Sequence, residues 1–140
     1  MPTALDTNIL AYAAGLRQVE ADEAKIVRAG SLIRLILNEG DLVLPAQVQA
    51  ELHHLLRKKA GLSPFAAAAK VALYADAAVT VPTDALVLDE AFELAGKHGL
   101  QTYDSIILAA AAQYGCESLY SEDMQHGFEW KWVTVINPFG

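Results

Sequence analysis

With 140 residues, 54% of them hydrophobic, the chain has material for one core and none for a second independent one. No apolar run approaches the roughly 20 residues that cross a bilayer, Met1-Pro2-Thr3-Ala4-Leu5-Asp6 lacks the basic start of a signal peptide, and the single Cys116 allows no internal disulfide, so a reducing cytoplasm is expected and no membrane. A net charge of −7 disfavours a surface that tracks phosphates unaided; either nucleic acid is not the ligand, or a cluster of acids awaits neutralisation by cations.

In chain order, Thr3 to Leu5 reads as a short strand ending at Asp6, and Asn8 to Ala14 as a helix stopped by Gly15. From about Glu20 to Asn38, Ala24, Ile26, Val27, Leu32, Ile33, Leu35 and Ile36 recur at helical spacing, and Gly40 closes the helix. Asp41 to Leu44 is an apolar strand, and Pro45 is expected to open a helix that runs to about Ala60, where its missing N–H does no harm. Ser63-Pro64 starts another helix through about Ala77, Val79 to Val81 forms a strand, and Thr83 or Asp84 caps a helix to about Lys97. Asp104-Ser105 is expected to open the helix Ile106 to Ala112, apolar on nearly every side and therefore buried on nearly every side. Ser118 to Tyr120 and Trp132 to Ile136 complete the strands.

Such alternation predicts an α/β fold over residues 1–140 as a single domain. Its form is a three-layer α/β/α sandwich with a mostly parallel central sheet. Ligands of open sheets of this kind bind beyond the carboxyl ends of the strands. Asp6 directly follows the first strand, Asp123 follows the Leu119-Tyr120 strand, and Asp104 stands at a helix start whose dipole favours a carboxylate. Glu51 shares the stripe of Val48, Leu52, Leu55 and Leu56, so helix phase points it toward the interior. Singly these are a helix cap, two turn aspartates and a snorkelling glutamate. Together, four acids at one end of a sheet repel unless hard cations sit among them, and oxygen-only donors suit Mg2+ or Mn2+.

Leu5-Asp6-Thr7-Asn8-Ile9-Leu10 resembles the opening of PIN domains, the nuclease fold of VapC-type toxins. Tyr103-Asp104-Ser105-Ile106-Ile107-Leu108-Ala109-Ala110-Ala111 resembles that family's third acidic motif, and Ser121-Glu122-Asp123-Met124-Gln125-His126-Gly127 its fourth. The ending Val135-Ile136-Asn137-Pro138-Phe139 is similar too, so the likeness spans almost the whole chain in the expected order. The resemblance implies a Mg2+- or Mn2+-dependent ribonuclease whose catalytic, metal-binding acids are Asp6, Glu51, Asp104 and Asp123. Asn8 matches the position that supports the first acid, and Ser121 the hydroxyl position beside the fourth. Glu122 competes with Asp123, but the Ser-x-Asp spacing favours Asp123. The resemblance further implies an RNA substrate, a toxin that inhibits translation, and a small antitoxin protein of the VapB type as partner. The apolar surplus and small size add a homodimer, formed through the first helices.

Other features receive plainer readings. His53-His54 lacks the His-Glu-x-x-His spacing of a zinc helix and is expected at the surface or its boundary. His126 suits substrate contact or loop support equally; Trp130 and Trp132 suit core or interface better than base stacking. Arg57-Lys58-Lys59 reads first as a solvated helix end. A phosphoaspartate receiver would need a lysine closing a late strand, and a dehalogenase-type phosphatase a second aspartate where Asn8 stands. A non-catalytic module is disfavoured because all four acids are present.

Overall fold

Short apolar strands alternate with amphipathic helices in the computed structural model, which describes residues 1–17 and 19–140. The elements are β1 (Thr3–Leu5), α1 (Thr7–Ala13), a 3-10 turn (Glu20–Asp22), α2 (Glu23–Glu39), β2 (Leu42–Pro45), α3 (Ala46–Lys59) and α4 (Pro64–Ala75). They continue as β3 (Val79–Val81), α5 (Ala85–His98), α6 (Thr102–Gln113), β4 (Ser118–Tyr120), β5 (Glu129–Trp130) and β6 (Val133–Ile136). The sheet order is β3-β2-β1-β4-β6-β5; every pairing is parallel except the β5–β6 hairpin. Parallel neighbours require crossovers, and these helices sandwich the sheet in the expected α/β/α arrangement.

Strand order reverses at β1. From there the chain steps outward to β2 and β3 on one side, and returns through β4 and β6 on the other. The loops leaving β1 and β4 therefore diverge and open a crevice beyond their carboxyl ends. Ala4, Leu5, Leu42, Val43, Leu44 and Leu119 are fully or almost fully buried in the strands beneath it. α6 is enclosed as its composition predicts: Ser105 to Ala112 are all buried, and the alanines keep it thin enough for α5 and the sheet to close around it.

Several boundaries depart from expectation, each for a local reason. Asp6 caps α1, so the helix begins at Thr7. Pro45 is the last residue of β2, in register with Val81, and serves as N-cap of α3 with extended ψ rather than as its first helical residue. Glu20–Asp22 forms a separate 3-10 turn in which the Asp22 carboxylate accepts from the Val19 N–H, and α2 starts after it. α2 buries Ala29, Leu32, Ile33 and Ile36 but leaves Val27 and Leu35 exposed. α4 ends at Ala75, short of Ala77. α6 begins at Thr102, because the Gln101 carbonyl already accepts from both the N–H and the hydroxyl of Ser105, each at 2.9 Å. Asp104 is thus the third residue of α6 and not its opening. The sequence reading missed β5, and Trp132 lies in the turn before β6; Lys131, at φ 54°, takes the left-handed conformation that reverses the chain.

No helix among the described residues is long and apolar enough to cross a membrane.

Candidate active site

Asp6 is placed by the sheet itself. Its N–H bonds the Tyr120 carbonyl at 2.9 Å, extending the β1–β4 ladder by one residue, and its own carbonyl starts α1 by accepting from Leu10. The side chain, only 3% exposed, accepts from the Thr7 N–H at 2.6 Å through Oδ1 and from the Ser121 hydroxyl at 2.7 Å through Oδ2. Burial pushes its pKa up to about 7; those two hydrogen bonds hold it down, and the charges of Asp104 and Asp123 push it further up.

Asp104 projects from the first turn of α6, half-buried. Its pKa is raised by desolvation first, then by the charges of Asp123 and Glu51. Asp123 lies in the loop after β4, and burial and the Glu122 charge raise its pKa while Lys25 and a hydrogen bond from Asn8 offset them. Glu51 lies on α3 beside the buried stripe of Val48, Leu52 and Leu56, and its Oε2 accepts from the Thr7 hydroxyl at 2.7 Å. All four acids line one cavity of about 590 Å³. The fold thus brings together four carboxylates drawn from the β1 end, α3, α6 and the β4 loop.

The supporting contacts run crosswise to expectation. Asn8 does not hold the first acid; its Nδ2 donates to Asp123 Oδ2 at 3.0 Å. Ser121, adjacent in sequence to the fourth acid's loop, donates to Asp6 instead, and its oxygen also accepts from the N–H groups of Asp123 and Met124 at 3.2 Å. The fully buried Ser121 therefore ties the first acid to the backbone that carries the fourth. Glu122 is withdrawn from the cavity: it accepts from the Tyr12 hydroxyl and from Lys25 Nζ, both at 2.7 Å. That leaves Asp123 alone of the two adjacent acids facing the crevice.

The donor set is chemically suited to a hard divalent cation: carboxylate oxygens only, with each aspartate held above its ordinary pKa first by burial and further by neighbouring charges. Among the described residues no three His, Cys, Asp or Glu side chains form a ready-made cage. Oxygen donors without sulfur or nitrogen are the chemistry of hard cations such as Mg2+ or Mn2+, which keep water in their shell, and not that of a closed structural zinc site.

The sequence alone assigned no site role to Thr7, Gln47, His54 or Tyr103. Thr7 positions Glu51, while Gln47, His54 and Tyr103 line the wall. Gln47 and His54 stand at i−4 and i+3 from Glu51, so the helix phase that selected Glu51 also selects them. Of the features left aside, His126 Nδ1 accepts from the Asn137 N–H at 3.0 Å and supports the loop. His53 Nε2 lies 3.1 Å from the Pro64 carbonyl. Cys116 is buried, which pushes its thiol up to about 12. Trp130 and Trp132 flank the turn into β6, at the end of the sheet opposite the acids. The Trp132 indole donates to the Ala112 carbonyl at 3.0 Å although the side chain is largely exposed.

A parallel α/β/α sheet with carboxylates gathered where its strand order reverses defines the class. The chain belongs to the PIN domain family, whose profile matches residues 3–127. Solved structures share the fold at low identity. A toxin–antitoxin complex from Klebsiella pneumoniae superimposes with a TM-score of 0.71 at 15% identity, covering 97% of each chain. VapBC2 from Rickettsia felis, bound to a DNA fragment from its promoter, gives 0.68 at 16%, covering 96% of this chain and 97% of that one. Mycobacterium tuberculosis VapC20, a toxin that cleaves the sarcin-ricin loop, gives 0.67 at 19%, covering 84% and 86%. No curated protein sequence matches the chain.

Proposed function

We propose that this protein is a Mg2+- or Mn2+-dependent endoribonuclease that acts in the cytoplasm as the toxin of a toxin–antitoxin pair. One observation carries the reading: Asp6, Glu51, Asp104 and Asp123 line a single cavity beyond the carboxyl ends of β1 and β4. Asp6, Asp104 and Asp123 would hold the cation, with Glu51 completing the set. When bound, a divalent cation supplies positive charge that favours the ionised acids and lowers the pKa of water to a range useful near neutrality.

The chain's own groups do the positioning. Ser121 fixes the orientation of the Asp6 carboxylate by donating to Oδ2. Asn8 does the same for Asp123. Thr7 holds Glu51 through Oε2, leaving the other oxygen to orient a water or accept its proton. Attack of that water on an RNA phosphodiester would leave 5′-phosphate and 3′-hydroxyl ends. No serine, cysteine or histidine nucleophile is required.

The toxin assignment draws support from the fold, shared with a toxin that cleaves the sarcin-ricin loop and with toxin–antitoxin assemblies. On this reading residues 1–140 act as one PIN domain, inhibit translation by cutting RNA, pair with a small VapB-type antitoxin and form a homodimer. The direct test compares wild type with Asp104→Asn on total cellular RNA in Mg2+ or Mn2+. Cleavage should vanish in the variant while its circular dichroism is unchanged; undiminished cleavage overturns the assignment. Expression should arrest bacterial growth, and normal growth with abundant active protein would reject the toxin role.

A further inference from the structure

The cavity of acids does not end at Glu51. His54, which lines it, is also a wall of a second cavity of about 430 Å³ lined, among the described residues, by Arg57 and Lys58 as well. Gln47, Glu51, His54 and Lys58 follow one another at spacings of four, three and four, so they form one stripe along α3, with Arg57 beside its end. From Glu51 to Lys58 the helix rises about 10 Å. One face of α3 thus changes from an acid at the reaction centre to two cations at its last turn, with an exposed imidazole between them.

Four of the cations elsewhere on the molecule are neutralised locally. Arg17 pairs with Glu23, Lys25 with Glu122, Lys97 with Glu93 and Lys131 with Glu90. Arg57 and Lys58 are exposed and, like Arg28, Arg34 and Lys70, have no carboxylate partner among the described residues; what distinguishes them is that they line the cavity sharing His54 with the acids. A helix C-terminus favours cations there without any ligand. That effect accounts for their sign; it does not account for their lining a cavity that shares His54 with the cavity of acids. In a chain of net charge −7, a polyanion threading acidic ground needs a local counter-charge at its next contact.

We propose that His54, Arg57 and Lys58 form a phosphate-binding subsite on α3, which holds a backbone phosphate of the RNA beside the scissile bond and sets the strand's direction across the cavity. The proposal rests on the nuclease reading above. The guanidinium of Arg57 would take the phosphate oxygens in bidentate fashion, and Lys58 would act as a point charge. Because the contacts are to phosphate, they bind without reading sequence.

The test uses Asp104→Asn as a binding-competent background with a short single-stranded RNA in Mg2+, titrated across a range of salt. Adding Arg57→Gln and Lys58→Gln should weaken binding on the order of tenfold near 0.1 M salt and flatten the salt slope by about 0.7, the value for one lost phosphate contact. In the active protein the same pair should raise KM and leave kcat close to wild type. Lys70→Gln with Lys97→Gln removes the same net charge elsewhere and should leave affinity and slope unchanged. Equal loss in both pairs would reduce the effect to net charge, and no loss in the α3 pair would remove the subsite; either overturns the proposal while RNA binding by the background keeps the nuclease reading intact. Absence of RNA binding by the background, with no cleavage by wild type, would defeat both.

Discussion

Ser121 concentrates more of the site's geometry in one atom than any acid does. Its hydroxyl donates to Asp6 and accepts from two backbone N–H groups in a buried setting. Ser121→Ala strands those donors, so it should cost about 1–3 kcal/mol of stability in urea denaturation and lower activity as well. An unchanged midpoint would show that water replaces the hydroxyl. Asp6 supplies a prediction in pH. Its carboxyl ionises near 3.8 unperturbed and at about 7 in the fold, so the fold favours the neutral form. The stability that neutral form contributes is complete below about pH 4 and is lost as pH rises through 7. The cation-free protein should therefore melt at progressively lower temperature from pH 4 to pH 7. Asp6→Asn should flatten that decline, and Mn2+ should raise the wild-type melting temperature at pH 7 by binding the ionised form. An identical pH slope in Asp6→Asn would refute the account.

At the scale of elements, the helices were legible where apolar periodicity is strong and less so at their ends. α6 shows both. Its uninterrupted run from Ile106 announces burial on every side, yet its start at Thr102 is silent, because Gln101 offers no capping side chain and Asp104 looks like a cap. β5 escaped notice because two residues cannot display a period, and only the left-handed Lys131 turns them back onto β6. The tight alanine run of α6 also makes a prediction. Ala110→Leu inserts a branched side chain where nothing is exposed and should destabilise by about 1–3 kcal/mol, read from denaturant midpoints. A neutral result would mean that α6 has slack against α5 that its burial denies.

For the whole molecule, the acidic net charge ceases to oppose a nucleic-acid ligand once four of its acids are seen sharing one cavity and cations are found at the end of the same α3 face. The homodimer proposal belongs at this scale. α2 leaves Val27 and Leu35 exposed, apolar side chains that a second copy would cover. Val27→Glu with Leu35→Glu should halve the mass seen by light scattering; a wild-type monomer, or a variant that still dimerises, would rule out α2 as the contact.

The sequence by itself determined that Asp6 directly follows the first strand, the mostly parallel α/β class and the enclosure of α6. Those features follow from short-range periodicity and from caps and breakers a few residues apart. Only the tertiary structure decided who supports whom. Asn8 reaches Asp123 and Ser121 reaches Asp6 across 115 residues of chain, and Glu122 turns away to Tyr12 and Lys25 from 110 and 97 residues off. A side chain's partner at such separation depends on how α1 abuts the loop after β4, and no local pattern encodes that. The same holds for the acid cavity beside α3: helix phase aligns His54 with Glu51, but the facing wall of Asp6, Asp104 and Asp123 comes from other elements.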